Sequence, residues 1–124
     1  MISKKRRIRA LGYCRFLKTE HGNIYSLEEQ IEAIQKYALE KDYHLVRIFK
    51  DTGMSGREFN RKGLNDMMEF ISFCEDSADV LIVSEVSRLF TKLNNKFYSL
   101  KRLLESNNVN LVSLISLMNR YIKK

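Results

Sequence analysis

The chain has 124 residues, of which 44% are apolar and 30% charged, with five Gly, no Pro, no Trp and two Cys. That is one domain's length at ordinary globular composition, enough to bury a core, and it excludes collagen-like, mucin-like and disulfide-scaffold classes. Formal net charge is +7, but Lys4, Lys5, Arg6, Arg7 and Arg9 supply five of the 22 cations, and no acid falls within residues 1–9. Without those five, 17 cations face 15 acids, so the body is only weakly basic. Residues 1–9 read as a basic arm, either a tail that follows a phosphate backbone or a solvated one that aids solubility. No apolar run is long enough to span a membrane, and none follows the basic start as a secretory signal requires. A soluble cytoplasmic domain is the expectation that remains.

Strand-like and helix-like segments alternate along the chain. Residues 9–16 (RALGYCRF) read as a strand. Residues 26–41 open with Ser26 and carry Glu29 three places on, a capping box, and Leu27, Ile31, Ile34 and Ala38 fall on one helical face. Residues 44–50 (HLVRIFK) alternate and are rich in β-formers. Residues 61–74 place Leu64, Met67, Met68 and Ile71 on one stripe, where methionines fill core space. Residues 79–86 (DVLIVSEV) form the most apolar short run, as a central parallel strand does. A third helix over 93–106 aligns Phe97, Leu100, Leu103 and Leu104, and residues 109–114 (VNLVSL) close the pattern as a fourth strand.

This order predicts an α/β domain of three layers, a mainly parallel four- to five-stranded sheet flanked by helices over residues 10–114. Sites in such sheets lie beyond the carboxyl ends of the strands. Three stretches meet there: 15–25, 51–61 and 87–93. Each supplies an arginine, namely Arg15, Arg61 and Arg88. Three guanidiniums on one edge suit a phosphate or another oxyanion, because each presents a rigid fork of donors; as separate surface charges they would do nothing together. The sequence holds no GxGxxG or GxxxxGK[ST] loop. Ser26 serves as a helix cap, and Thr19 and Ser87 lack an evident base. Cys14 and Cys74 read as reduced, buried thiols, and with His21 and His44 they make no metal constellation.

The most specific stretch is 51–64, DTGMSGREFNRKGL. With Tyr13-x-Arg15, Ser26-Leu27-x-x-Gln30 and Ser87-Arg88-Leu89, it resembles the catalytic domain of the serine recombinases, the family of resolvases, DNA invertases and large serine integrases. The resemblance covers about residues 9–114 in order, and Asp51-x-x-x-Ser55-Gly56…Arg61-x-Gly63-Leu64 is its strongest part. It implies a resolvase-like fold and a chemistry in which a serine hydroxyl attacks a DNA phosphodiester while arginines stabilise the developing charge. By position, Arg15, Arg61 and Arg88 match phosphate-site arginines, Gln30 matches the glutamine of the first helix, and Asp51 matches the acid after the second strand. Neither metal nor organic cofactor is implied.

The departures bear on activity. The family's Tyr-x-Arg-Val-Ser ends on the nucleophile; here Tyr13-Cys14-Arg15-Phe16-Leu17 ends on leucine, which has no hydroxyl. The family's Asp-Arg-Leu-x-Arg becomes Ser87-Arg88-Leu89-Phe90-Thr91, which removes an acid and an arginine. Three altered positions in two motifs lead to the expectation of a catalytically inactive domain that binds DNA weakly through its phosphates, or pairs with another serine recombinase or with itself. The competing expectations are an active enzyme with another nucleophile, such as Thr19, and a mobile-element remnant without function. Residues 115–124 read as the start of a truncated C-terminal helix, with Leu117, Tyr121 and Ile122 apolar and Arg120, Lys123 and Lys124 basic.

Overall fold

The computed structural model describes residues 6–17, 26–53, 61–74, 76–85 and 95–115. Chain order is β1 (Arg9–Leu17), α1 (Leu27–Glu40), β2 (His44–Gly53), α2 (Lys62–Phe73), β3 (Val80–Val83), α3 (Asn95–Ser106) and β4 (Asn110–Ser113). The four strands form one sheet in the order β2-β1-β3-β4, and all three pairings are parallel. The βα alternation in the sequence thus produces the parallel sheet that it predicts.

Alternation along β1 divides the core between the two faces. Leu11 and Tyr13 point to the side covered by Leu64, Met67 and Ile71 of α2 and by Leu100 and Leu104 of α3. Ala10 and Cys14 point to the other side, against Ala33, Ile34, Tyr37 and Ala38 of α1. Gly12 lies on that second face, where a Cβ would stand 2.9 Å from Ile34 Cγ2, so its bare backbone sets how closely α1 approaches. Helices therefore flank both faces, which gives the three expected layers. Met67 is fully buried, and Met68 packs against the same cluster.

Helix α1 begins as its sequence indicates. Ser26 Oγ accepts from the Glu29 amide at 3.1 Å, and Glu29 Oε1 accepts from the Ser26 amide at 2.9 Å. Two strand boundaries differ from expectation. β2 continues through Gly53, three residues past 50, because β1 extends with it: Phe16 pairs with Thr52 and Leu17 with Gly53. Position 17 is thus a strand end rather than the first residue of a loop. β3 is shorter than 79–86; its ladder with β1 ends at the Tyr13–Val83 pair.

The cysteines separate. Cys14 is fully buried, as expected, whereas Cys74 is exposed at the end of α2, which corrects the reading of both thiols as buried. The apolar stripe of α2 ends at Ile71, so residues 72–74 turn outward. Burial pushes the Cys14 thiol from its ordinary 9.0 up to about 12, with the Lys50 charge pulling the other way. A folded thiol that keeps its proton while the unfolded one ionises costs stability only at high pH. This contribution is intact below pH 9.0 and is lost as pH rises toward 12, by up to about 1.4 kcal/mol per pH unit. Urea melts across that window should show the decline, and Cys14→Ala should make it shallower, the remainder coming from other buried groups such as the Tyr13 phenol, whose proton is also held above its ordinary range. An equally steep decline in the variant would contradict the assignment.

Arg6, Arg7 and Arg9 lie at the amino end of the sheet. Arg6 meets Asp79 at 3.5 Å, Arg7 donates to the Tyr43 carbonyl at 2.9 Å, and the Arg9 amide donates to Asp79 at 2.9 Å. Two of the five arm cations, Arg6 and Arg7, thus touch the body through their guanidinium groups, and Arg9 is tied in through its backbone as the first residue of β1. Lys4 and Lys5 lie outside the described residues. Among the described residues, no helix is long and apolar enough to cross a membrane.

Candidate functional site

At the carboxyl end of β1 and β2, Asp51 organises the surroundings. It is 4% exposed and both its oxygens are engaged. Oδ1 accepts from the Gly63 amide at 2.7 Å, and Oδ2 accepts from the Leu64 amide at 2.9 Å and from the Tyr13 hydroxyl at 2.6 Å. Gly63 and Leu64 occupy the first turn of α2, whose own N-cap residue, Arg61, makes no side-chain capping bond. The carboxylate that caps α2 therefore comes from β2, and it satisfies amide donors that the helix leaves open.

This contact explains the glycine. A Cβ on Gly63 would stand 2.3 Å from the Lys50 carbonyl oxygen, so only glycine lets the helix start sit on the strand end. Leu64 then enters the core with no exposed surface. The text Asp51…Gly63-Leu64 is thus first of all a packing device.

Tyr13 links this cap to a cation. Its hydroxyl accepts from Arg61 Nη2 at 2.9 Å while donating to Asp51, and the Arg61 guanidinium stands 5.8 Å from the Tyr13 ring centre. Burial raises the Tyr13 hydroxyl above the usual phenol range. The Arg61 charge opposes that shift, and the hydrogen bond to Asp51 adds to it. At neutral pH the phenol keeps its proton, and the ring has no exposed surface, so it orients Arg61 rather than attacking a substrate.

Arg15 stands opposite Asp51 in the β1–β2 register and is 6% exposed. Its main chain is gripped from α1. Gln30 Oε1 accepts from the Arg15 amide at 3.4 Å, and Gln30 Nε2 donates to the Arg15 carbonyl at 3.1 Å. The β3 ladder has already stopped at Tyr13, so the amide of Gln30 takes the role of a neighbouring strand. Ser84 Oγ, just past β3, donates to the same Oε1 at 3.4 Å. Gln30 is 1% exposed.

Of the sequence-predicted residues, Arg15, Gln30, Asp51 and Arg61 gather at this end of the sheet. Arg88, Ser87, Thr91, Thr19, Ser55 and Gly56 lie outside the described residues. Tyr13 as the hub and Ser84 as a buried partner were not singled out from sequence. Tyr13 is visible there only as the first letter of Tyr-x-Arg, and nothing marks Ser84. Among the described residues, no group of three or more His, Cys, Asp or Glu is placed to hold a metal ion.

Comparison with known proteins agrees with this architecture. The family model "Resolvase, N terminal domain" matches residues 10–121, and the chain belongs to that family. It is a serine recombinase domain of the kind associated with DNA recombination. The catalytic domain of ISC1926 TnpA, an IS607-like serine recombinase, superposes with a TM-score of 0.68 at 28% identity, over 86% of this chain and 70% of that one. A resolvase family site-specific recombinase from Streptococcus pneumoniae gives 0.70 at 27% identity, over 94% and 75%. The N-terminal catalytic domain of TP901-1 integrase, at 22% identity and a TM-score of 0.69 over 92% and 79%, shares the fold. No match is found among curated protein sequences.

Proposed function

We propose that this domain binds the phosphate backbone of DNA without cleaving it. The observation that carries the reading is a contrast between two parts of one site. The Asp51–Tyr13–Arg61 network and the Gln30 grip on Arg15 are complete, while position 17 at the end of β1 holds leucine. Arg15 and Arg61, with Arg88 from sequence, supply charge and donors to an oxyanion. Leucine supplies no atom that can bond to phosphorus, and Ser87 and Thr91 replace the acid and arginine of the family pattern. Lys4 and Lys5 add sequence-independent attraction.

The test combines retention and cleavage. Supercoiled DNA incubated with the protein should remain uncut, with no covalent adduct after denaturation, while a gel-shift assay shows salt-sensitive binding that weakens in Arg61→Ala. Deleting residues 1–5 should make the salt dependence shallower. Leu17→Ser alone should stay at least about two orders of magnitude slower than a variant that also carries Ser87→Asp and Thr91→Arg, because a missing oxyanion contact costs about that much. If the unaltered protein forms an adduct, an active enzyme with another nucleophile is the correct reading. If it binds no DNA, pairing with another recombinase of the same fold takes its place.

A further inference from the structure

A groove of about 300 Å³ runs along the outer edge of β2 beside the start of α2, and Arg47, Phe49, Lys50, Lys62, Gly63 and the acid Asp66 are among its lining residues. We propose that this groove is a second phosphate-contact surface, over which a DNA strand held at Arg15 and Arg61 continues. The inference rests on the DNA-binding reading above and extends it to residues outside the family motifs.

Three observations carry it. First, Arg47, Lys50 and Lys62 are all exposed, and the side chains of Arg47 and Lys50, both held in the ladder by their backbones, make no hydrogen bond or ion pair with the described residues. Arg47 and Lys50 project to opposite faces of β2 and so straddle its edge. Second, the Arg47 guanidinium lies 4.4 Å from the centre of the Phe49 ring. Stacking restrains the side chain and leaves its in-plane donors open, so less freedom is lost when an anion arrives. Third, the groove joins the candidate site. Gly63 lines it, the Gly63 amide binds Asp51, and Arg61 and Lys62 are neighbours at the start of α2.

The acids nearby set the balance. Lys62 is hydrogen-bonded to Asp66 at 2.9 Å, which holds its ammonium protonated above the usual range, and Glu69 adds to that shift while Arg47 opposes it. Arg47 and Lys50 are therefore the principal contacts, and Lys62 is shared between Asp66 and the incoming phosphate. The competing role for edge-strand cations is to block pairing with another sheet. That role needs no ligand, so DNA binding separates the two.

The experiment measures the affinity of the full chain for a short duplex of arbitrary sequence across a salt series. For the Arg47→Ala/Lys50→Ala variant, the slope of log K against log salt should be shallower by about 2, and the loss of affinity between about 50 and 200 mM salt should shrink by about tenfold. Asp66→Asn, which releases Lys62, should tighten binding. Lys101→Ala/Arg102→Ala, on the exposed side of α3, should leave the slope unchanged. An unchanged slope in the β2 variant, with binding still dependent on Arg61, overturns the groove and leaves the primary site standing. An equal change in the α3 variant also overturns it. Absence of DNA binding by the unaltered protein overturns both readings. Binding of polyglutamate but not DNA, dependent on Arg47 and Lys50, replaces the groove's partner with an acidic polypeptide.

Discussion

Replacing Asp51 with alanine is expected to destabilise the domain by about 3 kcal/mol or more, read as a lower urea midpoint with a similar slope. The carboxylate accepts from the Gly63 and Leu64 amides and from the Tyr13 hydroxyl, all in buried surroundings. Alanine leaves those donors without their acceptor, and water has little access to replace it. Tyr13→Phe removes one of these bonds and should cost about 1 kcal/mol. It also removes the hydrogen bond from Arg61 to the Tyr13 hydroxyl, so it should weaken DNA binding more than its effect on stability suggests. A loss below about 1 kcal/mol for Asp51→Ala would show that α2 does not depend on a cap supplied from β2.

Gln30→Leu is expected to cost about 2–4 kcal/mol. Leucine is close in volume, so packing changes little. What changes is polar satisfaction: the Arg15 amide and carbonyl and the Ser84 hydroxyl lose their shared partner. Gln30→Glu keeps the acceptor and loses the donor to the Arg15 carbonyl, and should fall between the two. Positioning and direct phosphate binding predict different results here. A positioning glutamine affects stability first, and DNA affinity only through Arg15. A glutamine that touches phosphate would reduce affinity in the Leu variant while leaving the urea midpoint unchanged. Its 1% exposure favours the first outcome.

Much of the fold is legible in the sequence because the apolar periods are unmixed. Leu27, Ile31, Ile34 and Ala38 declare α1, the run Val80–Val83 declares a strand buried on both faces, and Ser26 with Glu29 marks a helix start. The boundaries that moved are those set by partners. Asp51, Thr52 and Gly53 read as a turn on their own, yet β1 runs beside them and draws them into the sheet. The end of β3 is invisible in the text because Ser84 and Glu85 continue a strand-like alternation.

The candidate site is legible in a different way. Family resemblance marks Arg15, Gln30, Asp51 and Arg61, but not their division of labour. The geometry shows Asp51 and Gly63 holding α2 on β2, Gln30 holding the Arg15 backbone, and Tyr13 holding Arg61. Such contacts join residues far apart in the chain, and no local pattern encodes them. They also give a physical reason for the motif to persist beside Leu17: Asp51, Gly63 and Leu64 are needed for folding whether or not a nucleophile is present.

The most direct test of the account is a denaturing gel of the unaltered protein incubated with end-labelled DNA, run beside a native gel of the same samples. The account predicts a shifted native complex that weakens in Arg61→Ala and with salt, and no labelled protein band under denaturing conditions. A labelled band that survives denaturation, mapped to any hydroxyl of this chain, would contradict it.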